Sequence, residues 1–194
     1  MRKLTYFIAT SVDGFIGAAD GDADFLNQWL DPEYTAALAA EYPETLPTPA
    51  HAMFGIPEDF RARHFDTVVM GRGTYEPGLK VGFTSPYAHL DQYVVSRSLA
   101  TAPDPAVKVI SGDIVARVRE LKEEPGLGIW LCGGADLAGQ LVEEIDEFVV
   151  KTYPVFLGSG MPMSRAGFGL RALELTGFTA YGGGQTIATY ARKR

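Results

Sequence analysis

Three stretches of the chain end a short apolar run on glycine, hydroxyl and guanidinium groups, a combination that can hold phosphate. Val68-Val69-Met70 runs into Gly71-Arg72-Gly73-Thr74. Glycine lets the backbone approach a ligand closely. Thr74 is placed to cap a following helix, whose N-terminal amides attract phosphate, and Arg72 adds a planar fork of donors. Val94-Val95 is followed by Ser96-Arg97, a pair that suits a phosphate monoester such as the 2′-phosphate of NADP. An Asp or Glu at that strand end would favour NAD, and neither is present. Leu131-Cys132 leads into Gly133-Gly134-Ala135-Asp136, where two glycines between strand and helix leave room for a pyrophosphate. Each stretch taken alone also reads as an ordinary strand-to-helix turn.

Asp13 is the first candidate for proton chemistry. It closes the opening apolar run, so partial desolvation would let it orient or relay a proton. The alternative is an Asp-Gly turn residue that bonds its own backbone. Tyr153 and Ser159 are further substrate-contact candidates, although Pro154 to Gly160 reads equally as a bent strand and loop. His51, His64 and His89 are scattered along the chain and suggest no metal site. Cys132, the one cysteine, is expected to serve as a small apolar group.

The usual phosphate fingerprints are absent. A G-x-G-x-x-G pattern fails at Gly71 and at Gly158, where the sixth positions are Glu76 and Met163. No G-x-x-x-x-G-K-[ST] loop occurs. A standard dinucleotide fold and a P-loop enzyme are both disfavoured.

The elements that must position these residues alternate. Strands are expected at Leu4–Val12, Thr67–Met70, Gln92–Val95, Val107–Ile110 and Ile129–Cys132, and a longer one at Phe148–Leu157 interrupted by Pro154. Helices are expected after the caps Asp31 and Asp113 and after Gly134, the last carrying Leu137, Leu141 and Ile145. Ala172–Tyr181 and Gln185–Tyr190 flank three glycines and read as a terminal hairpin. The expected fold is α/β: a mixed, mostly parallel sheet flanked by helices, with a C-terminal antiparallel hairpin. Ligands of such sheets sit beyond the carboxyl ends of the strands. Residues 31–64, with Pro43, Pro47, Pro49 and Pro57, are expected to form an insertion or lid within a single domain spanning 1–194.

Composition fits a globular domain: 194 residues, 46% hydrophobic and 21% charged. A net charge of −7 without a basic stripe argues against nucleic acid. The only basic cluster is Arg192, Lys193 and Arg194, expected to be a frayed tail. A lone cysteine, no signal-like start and no long apolar stretch predict a cytoplasmic protein rather than a secreted or membrane one.

Five stretches in order, Ala9 to Gly17, Val69 to Tyr75, Val95-Ser96-Arg97, Cys132 to Ala135 and Pro154 to Gly160, resemble the dihydrofolate-reductase-like fold. More closely they resemble the reductase domain of the riboflavin-biosynthesis bifunctional deaminase–reductase. The deaminase part and its zinc signature are missing, so the resemblance is to a stand-alone member. It implies an NADPH-dependent reductase, usually a homodimer, acting on a small heterocycle of the pyrimidine or pteridine kind. It implies that Gly71 to Thr74, Ser96-Arg97 and Gly133 to Asp136 hold the cofactor. It also implies that the turn from Ser11 to Gly17, with Ile16, lies beside nicotinamide and substrate, with Asp13 facing the cleft. Dihydrofolate reductases place an acidic residue on the first helix; Asp31 and Glu33 lie near that helix start but out of that register. Two other readings stay open: a non-catalytic NADP(H)-binding regulatory module on the same fold, and an interaction protein without cofactor.

Overall fold

The computed structural model describes residues 1–29 and 31–193. In chain order the elements are β1 (Leu4–Thr10), β2 (Phe15–Gly17), α1 (Pro32–Glu41), β3 (Phe65–Gly71), α2 (Arg72–Lys80), β4 (Asp91–Val95), β5 (Val107–Ile110), α3 (Ile114–Glu123), β6 (Gly128–Gly133), α4 (Ala135–Gln140), β7 (Glu147–Thr152), β8 (Met161–Pro162), β9 (Leu173–Ala180) and β10 (Thr186–Arg192). Eight strands form one sheet in the order β5-β4-β3-β6-β1-β7-β10-β9. The first six run parallel, and β10 lies antiparallel to both β7 and β9. This is the mixed, mostly parallel sheet with a C-terminal antiparallel hairpin that the sequence pattern predicts, and it agrees with the dihydrofolate-reductase-like fold that the resemblance implies.

The central strands read as unbroken apolar runs because both faces are covered. Phe7, Val68, Met70 and Trp130 pack on one face with Tyr34 and Leu38 of α1. Tyr6, Val69 and Leu131 pack on the other with Val118 and Leu121 of α3 and with Leu137 and Leu141. Local signals explain the helix starts. The Asp31 carboxylate accepts from the Tyr34 amide, and that of Asp113 accepts from Val115 and Ala116, so each satisfies donors orphaned at a helix start.

Several expectations change. Thr74 does not cap α2: the helix begins at Arg72 with Gly71 in the cap position, which puts Thr74 inside the first turn. The strand expected to reach Leu157 ends at Thr152, because Pro154 has no amide proton for the ladder. The helix expected to carry Leu137, Leu141 and Ile145 stops at Gln140. The basic C-terminus is not a frayed tail as far as Lys193: Arg192 ends β10, and its guanidinium donates to the Val142 and Glu143 carbonyls. Arg194 lies outside the described residues. Within 31–64, α1 is a core helix, and residues beyond it fold into short 3-10 turns at Pro43–Thr45 and Thr48–Phe54. His89 ties these turns down through Thr48 and the Glu44 carbonyl. Among the described residues no helix is long and apolar enough to cross a membrane.

Candidate active site

The carboxyl ends of β4, β3 and β6 lie side by side, since Gly71 registers with Val95 and Met70 with Gly133. The two glycine turns touch. A methyl group on Gly71 would sit 3.4 Å from the Gly133 carbonyl oxygen and 3.5 Å from the Gly134 nitrogen. One on Gly134 would lie 3.7 Å from Met161 Sδ and 3.9 Å from Thr74 Oγ1. Gly133 has φ +119°, a conformation that excludes most side chains, and its peptide to Gly134 is cis. Nothing lies within 4 Å of a methyl built on Gly73. The result is a cradle of bare backbone at the rim of three strands.

Cations gather at the same rim. Arg72 Nη1 donates to Ser98 Oγ at 2.5 Å and its Nε to Glu76 at 2.6 Å, which ties the start of α2 to the loop after β4. Ser96 is buried, and its Oγ accepts from the Leu99 amide at 2.9 Å and more weakly from Ser98. Arg97 between them is exposed and has no ion pair among the described residues. Asp136 behaves otherwise: it pairs with Arg165 at 3.1 Å on the surface. Ala135 and Gly133 are buried, leaving Gly134 as the partly exposed glycine of that turn.

The turn after β1 is a closed polar knot. Ser11 Oγ donates to Asp13 Oδ1 at 2.6 Å and accepts from the Phe15 amide. The Leu157 and Gly158 amides donate to the same carboxylate at 3.1 and 2.7 Å. Partial desolvation pushes the Asp13 pKa up, but these donors together outweigh it and hold the carboxyl below the usual range. An acid that weak in proton affinity is a poor proton donor near neutrality, so Asp13 acts here as a clamp between two loops. The clamp continues as a ribbon in which Phe15 and Gly17 of β2 pair with Pro162 and Met161 of β8. A methyl on Gly160 would collide with the Gly17 carbonyl oxygen. Ile16 and Gly17 are thereby held close to Met161, which reaches Gly134.

The two remaining substrate candidates separate. Ser159 is exposed on the loop beside the Asp13 clamp. Tyr153 is buried; Tyr34 of α1 donates to its hydroxyl at 3.1 Å, and Tyr181 packs edge-on against Tyr34. Asp31 and Glu33 face the turn between β9 and β10: Glu33 accepts from the Gly182 amide, and Asp31 crowds Gly183. The α1 residues that enter the core are Tyr34 and Leu38.

One residue was overlooked at the level of sequence. Lys151 of β7 extends over Phe7, with Nζ 4.3 Å from the ring centroid, beside Cys132 of β6. Burial pulls its pKa down to about 8. Burial likewise pushes the Cys132 thiol up to about 12, despite the lysine and a hydrogen bond with Tyr87. The hint in the sequence was a lysine inside an otherwise apolar central strand, Phe148-Val149-Val150-Lys151.

With this geometry in view, a family model described as the RibD C-terminal domain matches residues 2–187. The chain is 33% identical to "Uncharacterized protein YwjB" of Bacillus subtilis (strain 168), over 93% of each chain. A solved structure from Shewanella sp. PV-4, named for riboflavin biosynthesis, is 24% identical with a TM-score of 0.73 over the full length of both chains. The dihydrofolate reductase of Enterococcus faecalis, complexed with NADP(H) and RAB-propyl, is 15% identical with a TM-score of 0.65, over 99% of this chain and 97% of that one.

Proposed function

Because the chain belongs to the RibD C-terminal domain family, a reductase-type family, we propose that it is an NADPH-dependent reductase of a small heterocyclic substrate of the pyrimidine or pteridine kind. The observation that carries this reading is the contact between the Gly71 and Gly133-Gly134 turns, with Arg72 and Arg97 on the same rim. The residues fit a phosphorylated dinucleotide: bare backbone where phosphates need close approach, and an exposed guanidinium where a 2′-phosphate needs one. Gly71, Gly73, Thr74, Gly133 and Gly134 would hold the pyrophosphate, and Ser96 and Arg97 the 2′-phosphate. Ile16 and Gly17 would border the nicotinamide.

When bound, NADPH supplies the hydride. The chain aligns the acceptor and keeps water out. Ser11 and Asp13 contribute by fixing the loops around the cleft. The Enterococcus faecalis structure, which holds NADP(H) on a similar fold, supports the cofactor assignment. A homodimer is proposed with it: the edge strand β9 leaves Leu173, Leu175 and Phe178 exposed, with Phe168 and Leu170 nearby in sequence almost fully so.

The test is NADPH oxidation followed by absorbance against a panel of oxopyrimidines and pteridines, alongside thermal shifts with the cofactor. Stabilisation by NADPH with turnover of one member supports the reductase. Stabilisation without any turnover assigns the non-catalytic NADP(H)-binding module. No stabilisation removes the cofactor itself.

A further inference from the structure

A second cavity lies at the amino ends of the central strands, at the opposite end of the sheet from the glycine cradle. Lys3 precedes β1, Phe65 opens β3, Gly128 opens β6 and Glu147 opens β7, and all four line it. Its volume is about 440 Å³, within the range of small-molecule sites. The chain as a whole carries a net charge of −7. Yet this cavity is lined by Arg2, Lys3, Arg63 and the His64 imidazole, against a single carboxylate, that of Glu147. The acids paired with Arg2 and Arg63, Asp66 and Glu41, stand outside the lining.

The cations differ in what they have left to give. Arg2 is buried and spent on Asp66, Thr67 and the Leu127 carbonyl. Arg63 makes all its bonds through Nη2, to the Ala40 and Glu41 carbonyls and the Glu41 carboxylate. Its Nε and Nη1 therefore have no partner among the described residues. His64 gives Nε2 to Glu41 and leaves Nδ1 without one. Lys3 is exposed and holds only Glu147. Exposed pairs of this kind are weak, so an incoming anion can draw Lys3 and the open side of Arg63 to itself. One wall is aromatic: the Tyr42 ring lies 4.5 Å from the His64 imidazole and stacks at 18° to Phe65. Tyr42 is also the C-cap of α1, and Arg63 bonds the last carbonyls of that helix. An occupant would therefore touch both the sheet and the end of α1.

We infer that this cavity is a second ligand site, remote from the cofactor rim, for a small phosphate monoester with a flat ring. The phosphate would sit on Lys3, Arg63 and His64, and the ring on Tyr42. The planar guanidinium fork and the ammonium suit phosphate oxygens, and the aromatic wall suits a ring of the same shape.

The experiment titrates phenyl phosphate, inorganic phosphate and phenol into the wild-type protein by calorimetry, with and without saturating NADPH. Phenyl phosphate is expected to bind about tenfold or more tightly than either fragment, and equally well with NADPH present. Arg63→Ala and Lys3→Gln are each expected to weaken it by roughly tenfold, the scale of one charge-assisted hydrogen bond. Thermal melts confirm that both variants fold, and NADPH titrated into them is expected to bind as in wild type. No binding of phenyl phosphate at millimolar concentration, equal binding of inorganic phosphate, or unchanged affinity in both variants would overturn the inference. Displacement of phenyl phosphate by NADPH would overturn it too, since that places the probe in the cradle. The two claims fail separately: this site can be absent while NADPH binds, and present while NADPH does not.

Discussion

Gly71 and Gly133 meet across two neighbouring strands: a methyl on the first would lie 3.4 Å from the carbonyl oxygen of the second. The two positions tolerate a side chain differently. Gly71 is extended, and its methyl would meet its neighbour at ordinary contact distance. Gly133 has φ +119°, where an L side chain is strained by about 1–3 kcal/mol. Gly133→Ala is therefore expected to lower Tm by roughly 3–10 °C for a chain of this size, and Gly71→Ala by much less. Gly71→Ala is expected to shrink the thermal shift given by NADPH, because its methyl lies against the Gly133-Gly134 turn, whereas a methyl on Gly133 would meet Ile8 at 3.6 Å and acts through backbone strain. Melts of the two variants with and without cofactor check this.

Arg97 projects from the rim without an ion pair among the described residues. Arg97→Ala is expected to weaken NADPH by roughly tenfold or more, the scale of one charge-assisted hydrogen bond. NADH, which lacks the 2′-phosphate, should change little. Equal losses for both cofactors in a direct titration would remove Arg97 from 2′-phosphate recognition.

Asp13 is held ionised by Ser11 and by two amides from the loop at Leu157 and Gly158. Its folded pKa is depressed, so its contribution to stability is full above the ordinary carboxylate range. That contribution is lost as pH falls through the folded value. Asp13→Asn should melt lower than wild type at pH 7, and the gap should close in acid. A gap that stays constant from pH 7 to pH 3 would refute the clamp.

Lys151 carries the opposite proton count. Its folded pKa is about 8 against an ordinary value of 10.5, so between those values the unfolded chain binds more protons and this contribution rises with pH. Lys151→Met should be more stable than wild type at pH 7. The advantage should shrink as pH rises from 8 towards 10. Matched melts across that window check the sign.

Leu175 and Phe178 are more than half exposed on the edge strand β9. If this edge meets a second copy, Leu175→Glu with Phe178→Glu should shift the mass in solution from dimer to monomer, with little change in the circular dichroism spectrum. A wild-type monomer by light scattering would contradict the dimer.

Much of this framework was legible in local sequence. Val107 to Ile110 and the glycine turns after β3 and β6 announce themselves through short apolar runs ended by Gly, Ser and Arg, because strand, turn and cap are decided by near neighbours. The β2–β8 ribbon was not legible: its strands have three and two residues, too few for any periodicity. Asp13 looked like an acid because its partners Leu157 and Gly158 lie 144 and 145 residues away. Lys151 was marked only by its place after three apolar residues, Phe148-Val149-Val150, which does not say where its side chain lies. A strand covered on both faces loses the alternation that separates inward from outward positions, so only the assembled sheet shows that its ammonium lies over Phe7.

The central claim is that separate strand ends build one site for a phosphorylated dinucleotide, and calorimetric titration of NADPH and of NADH into the wild-type protein measures it most directly. The account predicts saturable binding of NADPH, at least tenfold tighter than NADH. Absence of heat and of thermal stabilisation with both cofactors, in a protein that melts cooperatively, would contradict it.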